Sequence, residues 1–397
     1  MTPLTTLPRL PDELIIEVFR SECLEESDLF NCSLVSRKFV EAASELLYRH
    51  ISITIFEGQP ESESESESEE EEDDDDNDVF RCEYSHRTWK LLRTLMDHSK
   101  LKQLVQSIKF TYYGPNKELG ETALETSPSL AISSFLRLCR NVKKVEFDDG
   151  WVHSIVQLKL IKQLVRVENL VMEEMTVEEA EFINRQLTQL QNLHASTFPY
   201  TSPASPNPNQ IVRYPSNLRS LSLLGGPFQL HKAFVSTNYS TLQQLWIPID
   251  VARRLDYEQL SQLHTLRLEN SYGPRERPLH YIGTKFWTSL SKSRSLRCLI
   301  LFGGKYSDGY EEVLFGPNQV HSTTSIPTLK TIRFGEGVYL DRVNLLLSGP
   351  IGATLHQVVV WEYFVEKDRD VFTKNTFNFL SGICQERGIE VVIEPGW

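Results

Sequence analysis

Along the 397 residues, apolar side chains follow three different rhythms. Residues 7–55 read as short helices. Leu10-Pro11-Asp12 starts a helix in which Leu14, Ile15, Val18 and Phe19 share a face. Ser27 or Asp28 can cap a second helix carrying Leu29, and Ser36 a third carrying Phe39, Ala43, Leu46 and Leu47. Residues 57–78 have nothing to bury, and a helical spacing resumes over 84–104 with Trp89, Leu92, Leu95 and Met96 on one side. From Val105 onward the unit is apolar-x-x-apolar-x-apolar. It recurs ten times, with first positions Val105, Val142, Val167, Leu190, Leu218, Leu242, Leu263, Leu296, Leu329 and Leu355.

Such units at a period of 20–40 residues indicate a repeat architecture. Helical stretches separate them: 130–139, 152–165, 177–190, 251–263, 281–290, 340–347 and 372–387. A last strand is expected over 389–393. Strands alternating with helices imply a parallel sheet with the helices on its outer side. The alternative is a generic α/β domain whose strands happen to begin with Leu, and ten occurrences weigh against it.

Charge sharpens the division. The formal charge is −13, but Glu61–Asp78 alone holds thirteen acids and no base, which leaves 41 acids against 41 bases elsewhere. The stretch should be a solvated loop held open by repulsion. Ser62, Ser64, Ser66 and Ser68 each have Glu at the third position onward, the spacing acidophilic kinases favour; a plain spacer is the blander reading. A neutral body argues against nucleic acid as partner. No apolar run has membrane-spanning length, no signal peptide is visible, and the six cysteines lack a CxxC, which points to cytosol or nucleus.

The first segment resembles an F-box. Leu10-Pro11 stands for the opening Leu-Pro, Glu13-Leu14 for the acidic-Leu pair and Val18-Phe19 for the apolar-Phe pair. Asp28-Leu29 matches the second helix, Leu34–Phe39 the "xVCRxW" stretch, and Leu47-Tyr48-Arg49 the closing "LWR". Glu22 stands where the family has an apolar residue, and Leu24 takes over. The later units are similar to divergent leucine-rich repeats of fungal F-box proteins, without the asparagine that usually follows each strand.

The resemblance implies an α/β chain organised as a three-helix F-box over 1–56, a disordered acidic loop over 57–78, a linking helix over 79–104 and an irregular leucine-rich-repeat solenoid over 105–397. It implies a substrate-recognition subunit of an SCF-type ubiquitin ligase. The F-box would bind a Skp-family adaptor, and through it cullin and RING subunits, using Leu10, Pro11, Leu14, Ile15, Val18, Phe19, Leu29, Val35 and Phe39. The repeats would select a protein target. A second possibility is an adaptor-bound scaffold without ubiquitin output.

Catalytic patterns are missing: there is no GxSxG, HExxH, P-loop or GxGxxG. Cys82, His86 and His98 lack a fourth metal partner and the spacing of known sites. The chain therefore reads as non-catalytic, with no cofactor or metal.

Because side chains alternate along a strand, the residue between the second and third apolar positions should face away from the core. In order these are Lys109, Glu146, Val171, His194, Ser222, Trp246, Arg267, Ile300, Arg333 and Val359. Trp246, Arg267, Ile300 and Arg333 have the composition of a binding hot spot and are the expected target-binding residues. A neighbouring loop over Trp246, or pairing of the two Arg with Glu269 or Glu336, would give the same sequence.

Overall fold

The structure, a computed structural model, describes residues 26–35, 37–57, 82–84, 86–113, 125–126, 128–148, 160–175, 179–180, 183, 186–197, 217–226, 228–269, 283–302, 325–335, 347, 349–361 and 371–394. The acidic stretch and most of the helices expected over 152–165, 177–190 and 340–347 lie outside them. The chain divides into two units, Met1–Glu173 and Glu174–Trp397.

In the first unit, α1 (Glu26–Val35) and α2 (Arg37–Arg49) lead into β1 (His50–Glu57). Then come β2 (Cys82–Tyr84), α3 (His86–Asp97), α4 (Ser99–Leu104), β3 (Ser107–Tyr113), β4 (Glu125–Thr126), α5 (Pro128–Leu138), β5 (Lys144–Phe147), α6 (Ile161–Leu164) and β6 (Asn169–Glu174). Strands β1, β3, β5 and β6 are parallel neighbours; β2 pairs antiparallel with β1, and β4 with β2. The sequence reading began the sheet at Val105, whereas the structure begins it at His50. Ile51, Ile53 and Ile55 are buried and alternate with polar residues, a period of two that is a strand. Thr88 of α3 ties down this strand: its hydroxyl accepts from the Thr54 N–H at 3.1 Å and donates to the Thr54 carbonyl at 3.2 Å.

The second unit runs β7 (Asn192–Thr197), β8 (Ser220–Leu223), α7 (Phe228–Thr237), β9 (Gln244–Pro248), α8 (Ile249–Ala252), β10 (Thr265–Glu269), α9 (Gly283–Leu290), β11 (Cys298–Phe302), β12 (Thr331–Phe334), a 3₁₀ turn (Gly352–Thr354), β13 (Gln357–Trp361), α10 (Val371–Glu386) and β14 (Glu390–Glu394). Its strands stack in chain order, each parallel to the next. In both units the repeat register holds. All three apolar positions of all ten sequence repeats are buried. Leu230, Phe234 and Val235 of α7 and Phe286, Trp287 and Leu290 of α9 supply further core. Phe286 meets the fully buried Tyr257 edge-on at 6.0 Å.

Two helices differ from expectation. The stretch 251–263 is one turn, α8, followed by tight turns. Asp256 takes the Glu258 N–H and the Gln259 amide with its carboxylate, and this local bonding competes with the helix. Helix α7 was not anticipated, because its buried face includes His231, whose ring Nε2 donates to the Leu223 carbonyl at 3.2 Å.

Stacking is held by a recurring backbone device. The residue after each first apolar position turns its carbonyl to the next repeat, where it accepts two successive N–H groups. Gln191, Arg219, Gln243, His264, Arg297 and Lys330 all do so in the second unit, at 2.7–3.1 Å. Polar side chains reinforce it just ahead of the strands. Thr241 donates to the Leu218 carbonyl, and Ser295 to the Leu263 carbonyl, the equivalent positions one repeat back. Asn238, fully buried, accepts from the Leu218 N–H and donates to the Phe234 carbonyl.

Candidate recognition surfaces

Helix α1 carries its apolar residues Leu29, Phe30, Cys32 and Leu34 on more than one side among polar ones, so packing against α2 can cover only part of them. The side taken up carries Leu29, buried with Ala43 among Cys32, Phe39, Ala42, Leu46 and Leu47. The side left over carries Phe30, 58% exposed, and Leu34, 71% exposed, with Val40 of α2 exposed as well. Leu29, expected at the adaptor face, is buried between the two helices, and Phe39, also expected there, packs against it while remaining partly exposed. A helix pair must spend some of its apolar landmarks on itself. Leu10, Pro11, Leu14, Ile15, Val18 and Phe19 lie outside the described residues, as does the side chain of Val35.

On the first unit's sheet, the outward Lys109 sits opposite Glu146 in register. Its ammonium lies 2.9 Å from Asp148 and 3.3 Å from Glu146, and Lys144 reaches Glu146 at 3.0 Å. The hydrogen bond to Asp148 raises the Lys109 pKa, with burial opposing. Charges here are matched internally, which leaves no net patch.

The second unit's outward row is different. The strand register places His194, Ser222, Trp246, Arg267, Ile300, Arg333 and Val359 in one line across β7–β13. Arg267 lies between two rings, its guanidinium carbon 3.3 Å from the Trp246 ring centre and 4.0 Å from that of Phe302. Phe302 can take this position because Gly335 has no side chain: a Cβ there would lie 2.5 Å from the ring. The Trp246 indole N–H donates to Glu269 at 2.8 Å. Burial pushes the Glu269 carboxyl above its usual range, against the pull of Arg267 and the indole N–H. On the other side of Trp246 stands His194, ring centres 5.3 Å apart.

Two members of the row are buried, contrary to the outward position expected of them. Ser222 lies on β8 between the strands of His194 and Trp246, whose rings meet across it. Val359 lies on β13, which the Arg333–Glu394 ion pair crosses at 3.1 Å. The acids near the two Arg are thus Glu269 and Glu394; Glu336 is outside the described residues.

Glu269 was named only as a possible partner of the Arg residues; Phe302, Glu394 and Gly335 were missed as members of this surface. Alternation alone could have found them, since each stands two residues along its strand or strand line from a named member and so shares its face. The resulting slab, His194–Trp246–Arg267–Phe302, is half-buried, largely aromatic and held by its own hydrogen bonds. Among the described residues no group of three His, Cys, Asp or Glu could hold a metal, and no helix is long and apolar enough to cross a membrane.

The chain carries an F-box-like domain: the family profile of that description matches residues 7–54. No curated protein matches the chain.

Proposed function

We propose, from the F-box-like domain at residues 7–54, that this chain is the target-recognition subunit of an SCF-type ubiquitin ligase. F-box domains typically bind Skp-family adaptors. The exposed apolar side of α1 and α2, with Phe30, Leu34 and Val40, supports docking of such a partner. The observation that carries the reading is the match itself, which includes the helices whose Phe30, Leu34 and Val40 are exposed.

The strand units are read as divergent leucine-rich repeats, and their exposed row as the surface that selects a protein target. An Arg stacked between a Trp and a Phe is rigid, and rigid aromatic–Arg clusters dominate binding energy at protein interfaces. The chain itself contributes proximity rather than bond-making groups. Burial pushes the Cys139 thiol up to about 12, the reverse of what a transthiolation nucleophile needs. Cytosol or nucleus is the compartment in which such an assembly would work.

Co-purification of the tagged chain tests this. Adaptor, cullin and RING subunit recovered together support it; adaptor without cullin favours an adaptor-bound scaffold; no adaptor overturns it. Trp246→Ala combined with Phe302→Ala should remove a specific co-purified protein while keeping the adaptor.

A further inference from the structure

The carbonyl device that stacks the second unit also sets its donor residues side by side along one edge of the sheet, at the N-terminal ends of the strands. From Arg219 to His356 five of the six side chains are basic, Arg219, His264, Arg297, Lys330 and His356, and the sixth, between the first two, is the neutral Gln243. Of the five basic residues all but the half-buried His264 are exposed. Lys330 and His356 are close enough to touch, Nζ to Nε2 3.4 Å. Among the described residues Arg219, Arg297 and Lys330 take part in no ion pair, whereas Lys109, Lys143, Lys144, Lys292 and Arg333 all do.

No acid interrupts the strip. The next residue along each strand is uncharged: Ser220, Gln244, Thr265, Cys298, Thr331 and Gln357. Residues just ahead of it are Asn217, Thr241, Gln262, Ser295, Thr328 and Thr354. Glu269 is five residues along β10 from His264, ~16 Å at the rise of a strand. On β14 the line ends at Glu390, whose carboxylate accepts from Gln357. Five strand spacings separate Arg219 from His356, about 24 Å, which an extended peptide covers with about seven residues.

We propose that this edge is a docking strip for an extended acidic segment of a partner protein. Charge complementarity selects the occupant: three unpaired cations in line, flanked by hydrogen-bonding but neutral side chains, match carboxylates presented along a strand. A nucleic acid fits less well. The strip and its flanking rows have no Phe, Tyr or Trp on which a base could stack. The strip is separate from the Trp246–Arg267–Phe302 slab and needs no F-box reading.

The test is fluorescence anisotropy of a labelled oligoglutamate peptide of about ten residues with the full chain. Binding is expected to fall at least tenfold between ~50 and ~200 mM NaCl. It should also fall at least tenfold in Arg219→Gln/Arg297→Gln/Lys330→Gln, which changes only exposed side chains and should melt like the parent. Lys292→Gln, an exposed cation off the strip, should leave it unchanged. A triple variant that melts normally and binds as well as the parent overturns the proposal, as does no binding at low salt. Tighter binding of an oligouridylate through the same three residues would assign the strip to nucleic acid. A rise of more than tenfold on deleting residues 61–78 would assign it to the chain's own acidic run.

Discussion

Arg333 on β12 reaches Glu394 on β14 at 3.1 Å, passing over β13, where Val359 is only 1% exposed. The ion pair is partly solvated, so its Coulomb gain is worth at most about 1 kcal/mol. Register sets Arg333 beside Val359, where the arginine's aliphatic stem can lie over the valine.

Arg333→Met, which keeps an apolar stem over Val359, should therefore unfold within about 0.5 kcal/mol of the parent, and Arg333→Ala about 1 kcal/mol below it. Denaturant midpoints at constant slope decide this. If Met is as damaging as Ala, the charge and not the cover is what matters.

Leu29 and Leu34 lie on one helix and should separate stability from docking. Leu29→Ala removes packing between α1 and α2 and should cost about 2–3 kcal/mol. Leu34→Asp, at an exposed site, should leave the melting temperature within a degree or two yet weaken adaptor capture at least tenfold. Loss of adaptor binding on Leu29→Ala alone, with Leu34→Asp silent, would reverse the two roles.

Gly335 and Phe302 should be coupled. An added methyl at 335 must displace the ring that holds Arg267, so Gly335→Ala should destabilise by about 1–3 kcal/mol. Combined with Phe302→Leu the same change should cost much less, giving a coupling of at least about 1 kcal/mol in a double-mutant cycle. Additive effects would place the strain elsewhere.

Glu269 makes a prediction in pH. Burial raises its native pKa above the unfolded value near 4.5, so the native state holds this proton more tightly. Its contribution is fully present below the unfolded pKa and is lost as pH rises through the native one. Glu269→Gln keeps an acceptor for the Trp246 N–H and removes the titration. At pH 7 the variant should melt no lower than the parent, and the parent should gain on it as pH falls toward 4.5. A parent that loses ground over that interval contradicts the assignment.

What was legible in the sequence follows from period. Every apolar position of the repeat is buried because a strand on a solid core leaves no choice of face, and a one-residue slip would have exposed Leu266 and Leu268 while burying Arg267. The strand 51–55 was hidden by its attachment to a helical motif, and α7 by a histidine that its fold neutralises with a backbone carbonyl. At the surface, Trp246 and Arg267 follow from register, and alternation puts Phe302 and Glu269 on the same face, but that these side chains reach across to one another between neighbouring strands is not written in any single strand's pattern.

The two-fold acceptance by each repeat's carbonyl has a consequence for how such a chain can change. In the second unit the first apolar positions are separated by 28, 24, 21, 33, 33 and 26 residues, yet the bonds that join consecutive units keep one length range. Cohesion resides in this contact and in the short strand ladder that continues from it, and the chain between ladders is not asked to measure anything. Insertions and deletions can accumulate there without disturbing the stack, so new binding loops can be tried one at a time on a scaffold that does not register their length.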